Sequence, residues 1–122
     1  MRIQESAENY LETILILAEK SSRVRAVDIS TALGFAKASI SFAMKKLKSG
    51  GYIEIDSEGF ITLTKKGKEI AERMYERHTL ISDWLVSLGV DRETAAKDAC
   101  KIEHIISEKS FLALKNHLNK LK

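Results

Sequence analysis

A chain of 122 residues, 44% hydrophobic and 30% charged, can bury one compact core or a small domain with a helical extension, and excludes a large multidomain assembly. Its single cysteine excludes an intrachain disulfide, and the apolar stretch Ile14 to Ala18 is far too short to span a bilayer, so we expect a soluble cytoplasmic protein with no membrane partner. A net charge of +3 permits nucleic-acid binding without requiring it.

The first predicted helix runs from Glu5 to Lys20. Tyr10, Leu11, Ile14, Leu15, Leu17 and Ala18 recur at a period near 3.6, and Ser6 is placed to cap it. Asn9 and Glu12, three apart, share a face. After a short connector, Ser21 to Arg25, the stretch Val27 to Gly51 reads as two short helices joined by a tight turn at Gly34. Val27, Ile29, Ala32 and Leu33 make the inward face of the first, and Ile40, Ala43, Met44 and Leu47 that of the second. The second helix leaves Lys37, Ala38, Ser41, Phe42, Lys45 and Lys48 outward, with no carboxylate among them. Small, hydroxylic and basic groups suit a major groove, where base edges meet short side chains and phosphates meet lysines. Lys37, Ala38, Ser39, Ser41, Phe42 and Lys45 are therefore the candidate DNA-contacting residues of a recognition helix.

Two alternating runs, Tyr52 to Asp56 and Phe60 to Leu63, flank Ser57-Glu58-Gly59, a loop with glycine where a hairpin needs positive φ. Helix, turn, helix and hairpin in that order describe a winged helix. Thr64 is placed to cap a long helix from about Lys65 to Leu88, with Ile70, Met74, Ile81, Leu85 and Leu88 as its inward stripe and His78 falling within that stripe. Gly89 ends it, Asp91 caps the next helix, and Arg92 to Ile106 is expected to bury Ala95, Ala99, Ile102 and Ile106. Ser107 caps a last helix whose Phe111, Leu112, Leu114, Leu118 and Leu121 exceed what a small core can cover, which implies a partner subunit. The fold class is thus mainly α with a small β-hairpin wing: a winged helix-turn-helix DNA-binding domain over 1–70 and a helical dimerisation domain over 71–122, which the candidate ligands described next make a metal-binding and dimerisation domain.

Cys100, Glu103 and His104 offer a thiolate, a carboxylate and an imidazole from little more than one helical turn. That composition suits a borderline divalent ion, and His78, Glu12 and Asn9 are candidates to complete the shell from other helices. A cysteine in an alanine-rich helix also serves as a small core residue, so spacing alone leaves both readings open.

The segment Asp98-Ala99-Cys100-Lys101-Ile102-Glu103-His104-Ile105-Ile106-Ser107 resembles the metal-ligand helix of the iron- and manganese-dependent repressors, the diphtheria toxin repressor and manganese transport regulator family. Three further stretches are similar: Glu8 to Ile14 to the family's first helix, Asp28 to Gly51 to its helix-turn-helix, and Leu63-Thr64-Lys65-Lys66-Gly67 to the turn after its wing. Arg77-His78 matches the long-helix ligand. The resemblance implies metal ligation by Glu103, His104 and His78 as in both branches, by Cys100 as in the iron branch, and by Glu12 as in the manganese branch. Asn9 stands where the family has aspartate or methionine, while Ser82 and Ala96 replace acidic and histidine ligands of the iron branch's ancillary site. Phe42 replaces a polar base reader, and the expected form is the short one without the SH3-like domain.

A thiolate favours softer ions such as Fe²⁺, Co²⁺, Ni²⁺ or Zn²⁺ over Mn²⁺; with the iron-branch cysteine at position 100, Fe²⁺ is the expected ion, and Mn²⁺, Zn²⁺, Co²⁺ and Ni²⁺ are the alternatives. The expected function is a homodimeric repressor of metal-ion homeostasis that binds operator DNA when Fe²⁺ or Mn²⁺ is bound, its two recognition helices about 34 Å apart. A winged-helix regulator without metal control is the alternative within DNA binding. A metal-dependent hydrolase using Glu103 is disfavoured because no further acid or nucleophile accompanies those ligands; no enzyme activity and no small organic substrate are expected.

Overall fold

The computed structural model describes residues 5–21 and 23–121. In chain order these form α1 (Glu5–Lys20), α2 (Ala26–Leu33), α3 (Lys37–Ser49), β1 (Ile53–Ile55), β2 (Ile61–Leu63), α4 (Lys65–Ser87), α5 (Arg92–Ile105) and α6 (Glu108–Lys120). They fall into two compact units, one ending at Arg73 and the other beginning at Met74, within α4.

In the first unit, Leu11 and Ile14 of α1, Ile29 of α2, Ile40, Met44 and Leu47 of α3, Ile53 and Ile61 of the hairpin and Ala71 of α4 enclose one core. Burying each of the larger side chains contributes roughly 1.5–3 kcal/mol before ordering costs. The register of α2 differs from expectation, since Ile29 and Ser30 are buried while Val27 and Ala32 face outward. At about 100° per residue, Ile29, Ser30 and Leu33 share one arc, and Val27 and Ala32 lie about 60° beyond its two edges. Ser30 belongs inside because its hydroxyl donates to the Phe35 carbonyl at 2.6 Å, closing the turn in which Gly34 takes φ +72°. At the start of α2 the Asp28 carboxylate, at the third helical position, accepts from the Arg25 amide at 2.8 Å, which is one arm of a capping box.

The wing is a two-stranded antiparallel hairpin pairing Ile53 with Leu63, Glu54 with Thr62 and Ile55 with Ile61. Asp56 organises its loop by accepting from the Glu58 and Phe60 amides, both at 2.9 Å, and Gly59 takes φ +88°. The connector before α2 is part of this structure rather than a plain link: Val24 is buried, and its carbonyl accepts from the Ile61 amide at 2.7 Å.

The junction from wing to α4 is close-packed. The Thr64 hydroxyl accepts from the Gly67 amide at 3.2 Å and donates to the Gly51 carbonyl at 2.7 Å, while the Thr64 amide donates to the Tyr52 carbonyl at 3.1 Å. A Cβ on Gly67 would stand 2.0 Å from that same Tyr52 oxygen, so only glycine fits at this third position of the helix.

In the second unit α4 turns Met74, Arg77, Ile81 and Ser82 inward, and Phe111 anchors α6. Leu88, expected in the inward stripe, is 64% exposed because α4 ends at Ser87 and the chain leaves helical phase toward Gly89, at φ +104°. Asp91 caps α5 by accepting from the Thr94 amide at 3.0 Å, and Ser107 caps α6 by accepting from the Ser110 amide at 3.1 Å. The Thr94 hydrogen bonds hold the Asp91 carboxyl below its ordinary value.

Candidate metal centre and nucleic-acid interface

The inward face of α5 is only in part the aliphatic one expected: Ala95 and Ala99 are buried as anticipated, but Ile102 and Ile106 are not. Ala95, Ala99 and Glu103, at i, i+4 and i+8, are buried, whereas Ile102 and Ile106 are half-buried and Ile105 is exposed. The first two of these buried positions are small alanines, and the buried residues of the last turn are polar. Glu103 is 0% exposed and His104 8% exposed. A buried carboxylate is costly unless cations, donors or a metal surround it, so its presence on a core face is the physical anomaly of this unit.

What surrounds it is consistent with ligation. Cys100, half-buried one turn earlier, Glu103 and His104 each offer a donor atom, and these donors lie within 4.8 Å of one another. His78, reaching over from α4, places Nδ1 3.2 Å from Oε2 of Glu103, and His104 places Nε2 3.3 Å from Oε1. The carboxylate therefore sits between two imidazoles with a thiol alongside. Sulfur, oxygen and nitrogen donors converging in a largely buried space fit a divalent transition ion and do not fit Ca²⁺ or Mg²⁺, which take all-oxygen shells. The second unit by itself thus brings together four sequence-predicted residues: Cys100, Glu103, His104 and His78. Glu12 is buried and Asn9 half-buried on α1, in the first unit; the Asn9 main-chain carbonyl accepts from the Thr13 hydroxyl at 2.8 Å.

One residue that sequence reasoning named only as the neighbour of His78, with no role of its own, stands beside this cluster. Arg77 is 6% exposed, and its Nη1 donates to the carbonyls of Glu103 at 3.1 Å and Ile106 at 2.8 Å, while Nη2 pairs with Oε2 of Glu108 at 2.7 Å. The guanidinium also lies 5.2 Å from the centre of the Phe111 ring. The available signal was its phase: Met74, Arg77, His78 and Ile81 follow the i, i+3, i+4, i+7 pattern of an inward stripe.

On α3, Lys37, Ala38, Ser39, Ser41, Phe42 and Lys45 are all exposed, opposite the buried Ile40, Met44 and Leu47. Phe42 is 62% exposed, with the Lys46 ammonium 4.9 Å from its ring centre, so its ring is not spent on the core of this unit. The last turn of the helix carries Lys46 and Lys48, and no acid occupies its first turn.

Elsewhere in the second unit, α4 and α6 enclose a mainly apolar groove of about 650 Å³, with Leu80, Trp84, Leu118 and Leu121 among its walls. Of the apolar residues expected on α6, only Phe111 is buried; Leu112 and Leu121 are 45% and 69% exposed. No helix among the described residues is long and apolar enough to cross a membrane.

Residues 2–59 match the family model described as iron dependent repressor, N-terminal DNA binding domain, and residues 64–122 match that of its metal binding and dimerisation domain. An HTH-type transcriptional regulator of Methanocaldococcus jannaschii is 33% identical over 122 residues, covering 98% of each chain. The transcriptional regulator MntR of Bacillus subtilis is 35% identical over 106 residues, covering 87% of this chain and 75% of that protein. Among solved structures, the manganese regulator SloR superposes with a TM-score of 0.82 at 27% identity, over 98% of this chain and 55% of its own. A manganese-dependent transcriptional repressor in complex with manganese superposes at 0.84 with 26% identity, over 93% of this chain and 52% of its own. The chain therefore spans about half the length of these two solved relatives.

Proposed function

Because this chain belongs to the iron-dependent repressor family of metal-dependent transcriptional regulators, we propose that it represses transcription as a homodimer on operator DNA, in the cytoplasm, with a divalent transition ion held by Cys100, Glu103, His104 and His78. The observation that carries this reading is the convergence of three donors from one turn of α5 within 4.8 Å, with His78 of α4 against the shared carboxylate. Glu12, and Asn9 through its amide oxygen, join as ligands from α1; that part rests on the family resemblance of Glu8 to Ile14. Fe²⁺ is the favoured ion: a thiolate ligand disfavours Mn²⁺ relative to Fe²⁺, Co²⁺, Ni²⁺ or Zn²⁺, and the choice of iron among these rests on the resemblance of Cys100 to the cysteine of the iron branch.

Each residue has a task. Cys100 must give up its proton, Glu103 must stay ionised and both histidines must be neutral to donate, so metal affinity weakens in acid. The ion, when bound, supplies the positive charge that makes a buried carboxylate and thiolate favourable together. It favours the DNA-binding arrangement only by its differential affinity for that arrangement. On α3, Lys37 and Lys45 meet phosphates, while Ala38, Ser39, Ser41 and Phe42 face base edges. The apolar walls Trp84 and Leu118 of the α4–α6 groove, together with the exposed leucines of α6, support a second copy of the chain as the partner.

Selecting operators from random duplexes, with and without Fe²⁺ under anaerobic conditions, tests the proposal directly. Metal should raise affinity for one palindromic class of sequence, and Cys100→Ala and His104→Ala should each abolish that rise while remaining dimeric in sedimentation. Equal metal-dependent DNA affinity in both variants removes the site assignment, and metal-independent selection by the wild-type protein removes metal control.

A further inference from the structure

We propose that Arg77 is a positioning residue for the metal centre: its guanidinium clamps the main chain of the ligand Glu103 from behind while the adjacent His78 meets the same residue's side chain from α4. The inference rests on the metal-site reading above.

The clamp closes on the end of α5. A helix leaves its last carbonyls without intrahelical donors, and here the last turn carries Glu103 and His104. The Ile106 amide satisfies the Ile102 carbonyl at 2.9 Å. The Glu103 and Ile106 carbonyls are taken instead by one nitrogen of Arg77, at 3.1 and 2.8 Å. A cation at this end also complements the helix dipole. The other nitrogen holds Glu108 at 2.7 Å, in the first turn of α6, so a single planar group ties together α4, the end of α5 and the start of α6.

The consequence for ligation is geometric. Residues 77 and 78 are neighbours on α4, and both engage Glu103, one through its carbonyl and the other through its carboxylate at 3.2 Å. Rotation of α5 about its axis would move Cys100, Glu103 and His104 together relative to His78, and the clamp on the Glu103 carbonyl opposes that rotation. Groups that orient ligands in this way commonly alter metal affinity 10–100-fold when removed. Lysine cannot substitute, because an ammonium is a point donor and lacks the rigid fork that reaches two carbonyls and a carboxylate at once.

The test uses Co²⁺ as the probe with the full chain, following the thiolate-to-cobalt and d–d absorption bands. Arg77→Lys is the principal variant, and Glu108→Gln is the second, because the Glu108 side chain is 60% exposed and its loss leaves the packing intact. Thermal unfolding of the metal-free proteins is measured alongside. The clamp predicts that Arg77→Lys binds Co²⁺ at least about ten-fold more weakly, with altered d–d bands, at temperatures far below its unfolding midpoint. Glu108→Gln should show a smaller loss in the same direction. A purely structural role would lower the unfolding midpoint and leave the affinity and spectrum of the folded protein unchanged, which overturns the inference. If Arg77→Lys does not fold, wild-type affinity and spectrum in Glu108→Gln overturn it alone. A wild-type protein that binds no Co²⁺ through sulfur removes the metal-site reading and this inference with it, whereas failure confined to the variants leaves that reading standing.

Discussion

Gly67→Ala sets local helix propensity against tertiary packing. Gly67 is the third residue of α4, and alanine is favoured over glycine in a helix by about 1 kcal/mol, so propensity alone predicts a more stable protein. The structure predicts the reverse. The new Cβ would stand 2.0 Å from the Tyr52 carbonyl oxygen and 3.0 Å from its carbon, both backbone atoms, so either the hairpin or the helix start has to move by more than 1 Å. That movement breaks the bonds that share these atoms: Thr64 amide to Tyr52 carbonyl at 3.1 Å and Gly67 amide to Thr64 hydroxyl at 3.2 Å. At roughly 1 kcal/mol for each hydrogen bond and about 1 kcal/mol for a helix cap, the loss exceeds the propensity gain, and we expect net destabilisation of about 1–2 kcal/mol. Urea unfolding at equilibrium measures it, as a lower midpoint at unchanged slope. A midpoint equal to or above that of the wild type refutes the packing argument and means that the junction yields without cost.

Lys45→Ala should weaken binding to all duplexes about equally and reduce the slope of log affinity against log salt by about 0.9, measured by fluorescence anisotropy over a salt series, because a phosphate contact releases counterions without reading sequence. For Asp91 the sign follows from the direction of its shift: a carboxyl held below its ordinary value by the Thr94 amide stabilises α5 above that ordinary value, and the contribution is lost as the pH falls through the lowered one. Asp91→Asn keeps a capping oxygen but does not titrate, so the difference in unfolding midpoint between the two proteins should shrink on acidification; a constant difference across the acid range contradicts this.

Much of the architecture was legible before any coordinates, for reasons that are local. Helix periods, the glycine at position 34, the hairpin loop ending at Gly59 and the caps at Thr64, Asp91 and Ser107 each concern residues within a few positions of one another. The i, i+3, i+4 spacing of Cys100, Glu103 and His104 likewise needs only one turn of helix to be read. The departures have a different character. Val27, Ala32 and Leu88 are apolar and helical or nearly so, yet their exposure depends on which arc of a helix a neighbour covers. Ile102 was expected in the core and Glu103 beside it, whereas the structure buries Glu103, because a polar residue can take the inward position only where other chain segments bring charge and donors to it.

By itself, the sequence determined which segments are helical, their ends to within a residue or so, which residues form a basic and carboxylate-free helix face, and which side chains could ligate a metal, since periodicity, capping and donor chemistry are properties of short stretches. Only the tertiary structure decided that His78 meets Glu103 across α4 and α5, that Arg77 grips the end of α5, and that Gly67 lies against Tyr52. Those facts depend on the distances between segments remote in sequence, which are set by how side chains of particular volume pack and by which buried polar groups must find partners.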